Sequence, residues 1–190
     1  MRDRQLNAGR PLTPSDWVQR FYGGIKHGGV VLDVACGSGR HFPLLLANGC
    51  HVVAIDRDLT QAHAFALRPN IELIAADLEN GAPFPVRGRN FDGVIVTNYL
   101  WRPILADIVA AVAPDGVLIY ETFGCGQERL GRPSNPDFLL RPGELLDVVL
   151  PHLRVIAFEH ARLHGPDRVV QRITAVGLQH AWPGVEPPMG

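Results

Sequence analysis

Val31-Leu32-Asp33-Val34-Ala35-Cys36-Gly37-Ser38-Gly39-Arg40 is an apolar run that takes in one carboxylate and passes at once into a glycine-rich turn. A buried strand feeding such a turn, with helix-forming residues behind it, opens a strand–turn–helix unit, and open α/β sheets bind their ligands at this carboxyl edge. Gly37 and Gly39 lack side chains, so the backbone can turn sharply and a ligand can approach it to van der Waals contact. Two glycines alone select no ligand.

Outward from this stretch, short apolar runs recur between turn signals at Val30–Val34, His51–Ile55, Ile71–Ala75, Phe91–Thr97 and Gly116–Glu121. Their length and composition predict strands buried on both faces. Gly39–Asn48, about Leu59–Leu67 and about Trp101–Ala111 lie between them and are long enough for helices that cross over between parallel strands. Asn48-Gly49 reads as a left-handed helix stop, and Pro114-Asp115-Gly116 as the turn into the fifth strand. Farther on, Arg141–Leu150 predicts a helix, and Leu153–Glu159 with Val169–Gly177 an antiparallel hairpin. The expected architecture is a single doubly wound, Rossmann-like α/β domain over residues 14–180. It has a mostly parallel seven-stranded sheet, an antiparallel C-terminal hairpin and helices on both faces, with flexible segments at 1–13 and 181–190.

Two features stand outside that scheme. Ser15 or Asp16 can cap a short helix whose Trp17, Val18 and Phe21 either pack in the core or cover a cofactor. The connection Thr122–Leu140 exceeds ordinary loop length and is a candidate substrate lid.

The totals narrow the class. The chain has 190 residues, 46% of them apolar, which suffices for one domain with a real core. A net charge of −1 with 19% charged residues supplies no global positive field for nonspecific nucleic-acid binding. Cys36, Cys50 and Cys125 form no CxxC pair and read as reduced thiols of an intracellular protein. Met1–Arg10 is polar, without the apolar core of a secretory signal, and no stretch approaches the roughly 18 apolar residues of a membrane span. The expected location is cytoplasmic. No histidine spacing suggests a metal site; His41, beside the glycine loop, is the one histidine placed near the expected cleft.

The glycine loop can be tested against known ligand types. A nicotinamide fingerprint would place a third glycine three residues after Gly39, where Phe42 stands. A phosphate loop would end in Gly-Lys-Ser/Thr, which is absent. Asp33 sharpens the choice, because a carboxylate at the end of the first strand repels a pyrophosphate but accepts hydrogen bonds from an ammonium, directly or through water. S-adenosylmethionine has such an ammonium and no phosphate. Asp56 ends the second strand about 20 residues after the loop, where an acid can bind both ribose hydroxyls; the competing reading is a cap for the helix at Leu59, for which Asp58 also competes. Asp77 closes the third strand.

On these residues the chain resembles the class I S-adenosylmethionine-dependent methyltransferases, whose first motif reads acid, any, Gly or Ala, any, Gly, any, Gly. Asp33, Ala35, Gly37 and Gly39 match it, with Ala35 at the first glycine position. The resemblance covers roughly Trp17–Leu178, and its specific part is Val31–Leu78. It implies that Asp33, Ala35, Gly37, Ser38, Gly39, Asp56, Arg57, Asp77, Leu78 and Asn98 hold S-adenosylmethionine and its product S-adenosylhomocysteine. Asp77 would accept from the adenine amino group and Leu78 would donate its backbone amide.

The fourth strand exits into Asn98-Tyr99-Leu100-Trp101-Arg102-Pro103, which in this architecture faces the sulfonium. Methyl transfer is a direct displacement, so positioning and exclusion of water carry it, and no protein nucleophile is expected. Amino-methylating nucleic-acid enzymes resemble one another in an Asn/Asp-Pro-Pro-aromatic motif here; its missing prolines weigh against a base as acceptor. Tyr99 and Trp101 are candidates to stack on an acceptor or flank the sulfonium. Glu121 is a candidate base or a site for a cationic acceptor, against a surface ion pair. Arg132, Arg141, Pro133, Pro136 and Pro142 resemble a group of bacterial methyltransferase-domain proteins distantly similar to tellurite-resistance methyltransferases, a likeness that does not carry the acceptor over. The expected activity is methylation of a small molecule or metalloid oxyanion. The alternatives are a noncatalytic binding module, or an RNA or protein methyltransferase docking through Gln127–Arg141.

Overall fold

The structure, a computed structural model, describes residues 13–182. Most of the flexible segments expected at 1–13 and 181–190 lie outside the described residues. Trp182, inside the second of them, packs near Phe21 with ring centroids 6.3 Å apart.

Helix α1 spans Asp16–Phe21, and its cap is Ser15, whose Oγ accepts from the Trp17 and Val18 amides. Asp16 in the first turn and Arg20 in the last complement the helix dipole. There follow β1 (Val30–Val34), α2 (Phe42–Ala47), β2 (His51–Asp56), β3 (Ile71–Ala75) and β4 (Phe91–Thr97). The second half holds α3 (Leu105–Ala110), β5 (Val112–Phe123), α4 (Glu144–Val149), β6 (Arg154–Leu163) and β7 (Arg168–Val176). The sheet order is β3-β2-β1-β4-β5-β7-β6, with β1 to β5 paired in parallel and β7 antiparallel to both β5 and β6. This is the mostly parallel seven-stranded sheet with the antiparallel hairpin that the pattern predicts.

Alternation along the strands divides the core in two. Leu32, Val34, Val94, Val96, Leu118 and Tyr120 pack with α3 and α4 on one face. Val31, Val52, Ala54, Ile95, Val117 and Ile119 pack with Trp17, Val18 and Phe42 of α1 and α2 on the other. Successive side chains of a strand point to opposite faces, so both faces of the central strands are apolar.

Several expected elements come out shorter or displaced. Leu59–Leu67 forms only a 3-10 turn at Ala62–Phe65, and Leu67 is exposed. The Asp56 and Asp58 carboxylates accept from the Asp58 and Thr60 amides, which spends the start of the segment on tight turns. The edge strand β3 is accordingly only half-buried rather than covered on both faces. Helix α2 begins at Phe42, because the loop runs on through His41. Pro114-Asp115-Gly116 lies inside β5, at a bulge where the pairing with β4 shifts between Phe91 and Gly93. Helix α4 starts at Glu144 because Gly143, with φ +77°, turns the chain after Pro142.

The long connection read as a lid is bound to the domain. Gly124 bridges Leu140, Gln127 accepts from the Val169 amide and donates to the Arg132 carbonyl, and Leu139 and Leu140 are buried. Arg102 clamps it further, donating to the Asp137 and Leu139 carbonyls and to both carboxylate oxygens of Glu144. No described helix is long and apolar enough to cross a membrane.

Candidate active site

The turn after β1 is built on positive backbone angles: Ala35 has φ +54°, Gly37 +57° and Gly39 +72°. The two glycines serve different ends. A Cβ at Gly39 would fall 2.5 Å from the Phe42 ring, so this residue is small to let α2 pack. A Cβ at Gly37 would meet nothing within 4 Å, so this stretch of backbone is bare and open. The Gly37 amide donates to Asp56 Oδ2 at 2.9 Å, while Asp56 Oδ1 accepts from the Asp58 amide at 3.0 Å. The carboxylate is thereby fixed against the loop, at the end of β2 where an acid is expected to meet the ribose of the cofactor.

The three strand-end acids differ in setting. Asp33 is 1% exposed, and its Oδ2 lies 3.3 Å from Nδ1 of the equally enclosed His41. The Ser15 amide donates to His41 Nε2 at 3.5 Å, which assigns the ring proton to Nδ1, facing Asp33. Asp33 therefore lies behind the loop, bracing it through His41, rather than open to an ammonium. Asp56 is buried at the loop, and Asp77 is exposed. Asp77 Oδ1 accepts from the Glu79 amide, a tight turn that leaves the second oxygen. Asp77 and buried Leu78 line a cavity of about 280 Å³ with Asn80, Phe84, Pro85 and Ile104, a recess beyond the end of β3. Arg57 and Asn98 are exposed, Asn98 with φ +55° where β4 ends, and Ser38 is half-buried in the loop.

Tyr99 lies near Asp56, Asp77 and Glu79, at the ends of β2 and β3. Burial first, and then the nearby charges of Glu79, Asp77 and Asp56, push its phenol upward. Trp101 packs against the core face of α3 and α4. Cys36, inside the loop, is also pushed up, by burial and then by Asp33 and Asp56, so its thiol stays protonated and is no nucleophile.

Glu121 is neither a surface ion pair nor open to a substrate. It is 1% exposed, accepts from Ser15 Oγ at 2.6 Å and has Oε2 3.6 Å from Arg172 Nη1. Arg172 in turn bonds Glu159 and sits under the Trp17 ring, 4.8 Å from its centroid. Strand register makes this row: Thr97, Glu121, Arg172 and Glu159 pair successively across β4, β5, β7 and β6. Arg40 of the loop donates to Thr97 Oγ1 at 3.0 Å. Sequence reading missed Ser15, His41 and Arg172 as members of one network, because their meeting depends on pairings far apart in the chain. In the segment Gln127–Arg141, Arg129 lies 3.8 Å from Glu128 and Arg141 pairs with Glu144, which offsets its basic character.

Residues 31–116 match the family described as methyltransferase domain. No curated protein matches in sequence. Among solved structures, a TehB-like S-adenosylmethionine-dependent methyltransferase from Corynebacterium glutamicum is 19% identical with a TM-score of 0.61, covering 85% of this chain and 86% of that one. TehB from Haemophilus influenzae is 17% identical with a TM-score of 0.65, over 85% of this chain and 61% of its own. The 1,6-didemethyltoxoflavin-N1-methyltransferase of Burkholderia thailandensis, whose structure holds 1,6-didemethyltoxoflavin and S-adenosylhomocysteine, is 19% identical with a TM-score of 0.62, over 85% of this chain and 76% of its own. At these identities the structures speak for the fold, and the matched domain with its glycine loop speaks for the cofactor. Residues 31–116, which carry the glycine loop and the strand-end acids Asp33, Asp56 and Asp77, thus match a methyltransferase domain within a sheet of this order.

Proposed function

We propose that the chain methylates a small-molecule acceptor by direct in-line transfer at the β1–β4 edge of the sheet. The observation that carries this reading is the Asp56 carboxylate fixed at 2.9 Å on the Gly37 amide, beside backbone that a side chain would obstruct. S-adenosylmethionine, when bound, supplies an electrophilic methyl group on a sulfonium. Asp56 holds the ribose hydroxyls, Asp77 and the Leu78 amide receive the adenine in the recess beyond β3, and Ala35, Gly37, Ser38 and Gly39 give the loop backbone on which the cofactor lies. Arg57 and Asn98 border it, and Tyr99 closes the cofactor side against water. Asp33 is a positioning residue that fixes the loop through His41. No side chain is assigned a covalent role, since orientation and desolvation suffice for the displacement.

A small acceptor is supported by the Asn98-Tyr99-Leu100-Trp101 sequence, which lacks the prolines of base-methylating enzymes, and by the offset charges of Gln127–Arg141. The 1,6-didemethyltoxoflavin-N1-methyltransferase of similar fold holds the small molecule 1,6-didemethyltoxoflavin. The three free cysteines agree with a cytoplasmic setting. Calorimetric titration of S-adenosylmethionine and S-adenosylhomocysteine into wild type and Asp56→Ala, with NADH as control, tests the site. Micromolar binding weakened about tenfold or more by the substitution, the effect of one lost charged hydrogen bond, supports it. Undiminished binding in the variant removes Asp56 from the site, and turnover with a screened acceptor separates an enzyme from a binding module.

A further inference from the structure

A second cavity, of about 290 Å³, opens between α1 and the turn joining β6 to β7, and its walls include Asp16, Trp17, Arg20, His164, Arg168 and Arg172. The alternation of β7 explains why two arginines meet there. Arg172 pairs with Glu121 on the face that carries α1, and Arg168, four residues back, points to the same face.

The charges on this wall are unequally satisfied. Arg172 is held between Glu121 and Glu159 and stacked on Trp17, so it is fixed and largely compensated. Arg20 is 64% exposed and lies 3.8 Å from Glu159, a loose pairing with a carboxylate that Arg172 already engages at 2.6 Å. His164 is engaged by Asp167. Arg168 is half-buried and makes no side-chain hydrogen bond or ion pair among the described residues. Asp16 is the one acid on the wall. The cleft thus presents guanidinium donors in excess of acceptors, in a partly desolvated recess where charge-assisted bonds gain strength.

We propose that this cleft binds an anionic group, a carboxylate or a phosphate, carried by the methyl acceptor; this rests on the methyltransferase reading. Arg168 supplies the uncommitted fork, Arg20 closes from α1, and Arg172 with Trp17 forms the rigid floor. The cleft lies at the correct end of the sheet: the row Thr97–Glu121–Arg172 puts Arg172 two strands from the end of β4, about 10 Å at the usual strand spacing. An acceptor anchored by its anion at Arg168 therefore reaches back toward the β1–β4 edge with its opposite end. The buried Glu121 beneath the row repels an anion placed directly over it, which favours binding at the outer arginines.

The test is arginine side-chain NMR on the full chain, titrated with inorganic phosphate, with benzoate and with uncharged benzyl alcohol, both with and without S-adenosylhomocysteine. Saturable shifts of the Arg168 and Arg20 Nε–H signals by an anion, with the affinity read at Arg20 weakened at least fivefold in Arg168→Ala and partly restored in Arg168→Lys, support the site. A response to phosphate alone or to benzoate alone decides between the two anions. No saturable shift with either, an equal response in Arg168→Ala, or an equal response to benzyl alcohol overturns it. Failure of the methyltransferase reading shows separately, as absence of S-adenosylhomocysteine binding in wild type.

Discussion

The two halves of the sheet's carboxyl edge are assembled by different means. On the cofactor half, at the ends of β2 and β3, the acids bond backbone amides two to 19 residues away: Asp56 to Gly37 and Asp58, and Asp77 to Glu79. On the acceptor half, over β5 to β7, side chains bond side chains across long separations, as Ser15 does to Glu121, 106 residues on, and Arg102 to Glu144, 42 residues on. A site of the first kind depends on one contiguous stretch of chain. A site of the second kind depends on the tertiary structure being complete, and its variants should therefore unfold the protein before they alter a ligand.

The largest expected effect follows directly. Arg172→Met leaves Glu121, 1% exposed, without its cation, and should cost about 3–5 kcal/mol of stability, the penalty for an orphaned buried charge; chemical denaturation measures it. A loss under 1 kcal/mol would mean that the Ser15 bond alone suffices and that the contrast is overdrawn. Next, Arg102→Met should cost about 2–3 kcal/mol by breaking charged hydrogen bonds to a buried carboxylate. This variant also carries a pH signature. Burial opposes ionisation of Glu144, but Arg102 and the Arg141 amide outweigh it and hold the group at about 2, below its ordinary 4.5. Stabilisation from a lowered carboxylate is complete above its unfolded value and vanishes as the pH falls through the folded one. The gap between wild type and Arg102→Met should therefore be widest above pH 4.5 and close as the pH approaches 2, in unfolding curves taken across that range.

Cofactor-half variants should behave in the opposite way. Asp56→Ala should weaken S-adenosylhomocysteine about tenfold or more, roughly 1.4 kcal/mol, with less effect on the melting temperature than either arginine change. A collapse of the fold instead would show that the two halves do not differ as described. The smallest effect concerns Ala35, whose φ of +54° a β-carbon disfavours. Ala35→Gly relieves about 1 kcal/mol of left-handed strain and gives back about half of it in unfolded-chain entropy. A net gain near 0.5 kcal/mol in denaturant titration is expected; a loss would place the strain elsewhere.

This division also explains what could be read in advance. The parallel sheet, the hairpin, the glycine loop and the three strand-end acids follow from local signals in consecutive residues, and the structure has them where the pattern predicts. Ala35 was legible as a departure, but the positive φ that makes it costly was not. Asp33 looked like a ligand because its neighbour in the sequence is the loop; its neighbour in space is His41. Glu121 reads from the sequence as either a base or a surface ion pair, because Arg172 and Ser15 reach it through β-pairing and helix packing that no short window contains. The expected helix at Leu59–Leu67 failed for a local reason, since the Asp56 and Asp58 side chains compete for the amides that would start it.

Helix α1 has a consequence for how the protein is made. Its cap residue, Ser15, touches His41 with its amide and Glu121 with its hydroxyl, and the Trp17 ring rests on Arg172. Although it packs on residues of β1, β2, β4 and α2 as well, its Ser15–Glu121 and Trp17–Arg172 contacts wait until β5 and β7 are in place, and the loop closed by the first of them is more than a hundred residues long. The entropy of that closure can be recovered only at the end. Helix α1 is thus fully fixed only when β7 is in place, and the floor of the arginine cleft forms with it.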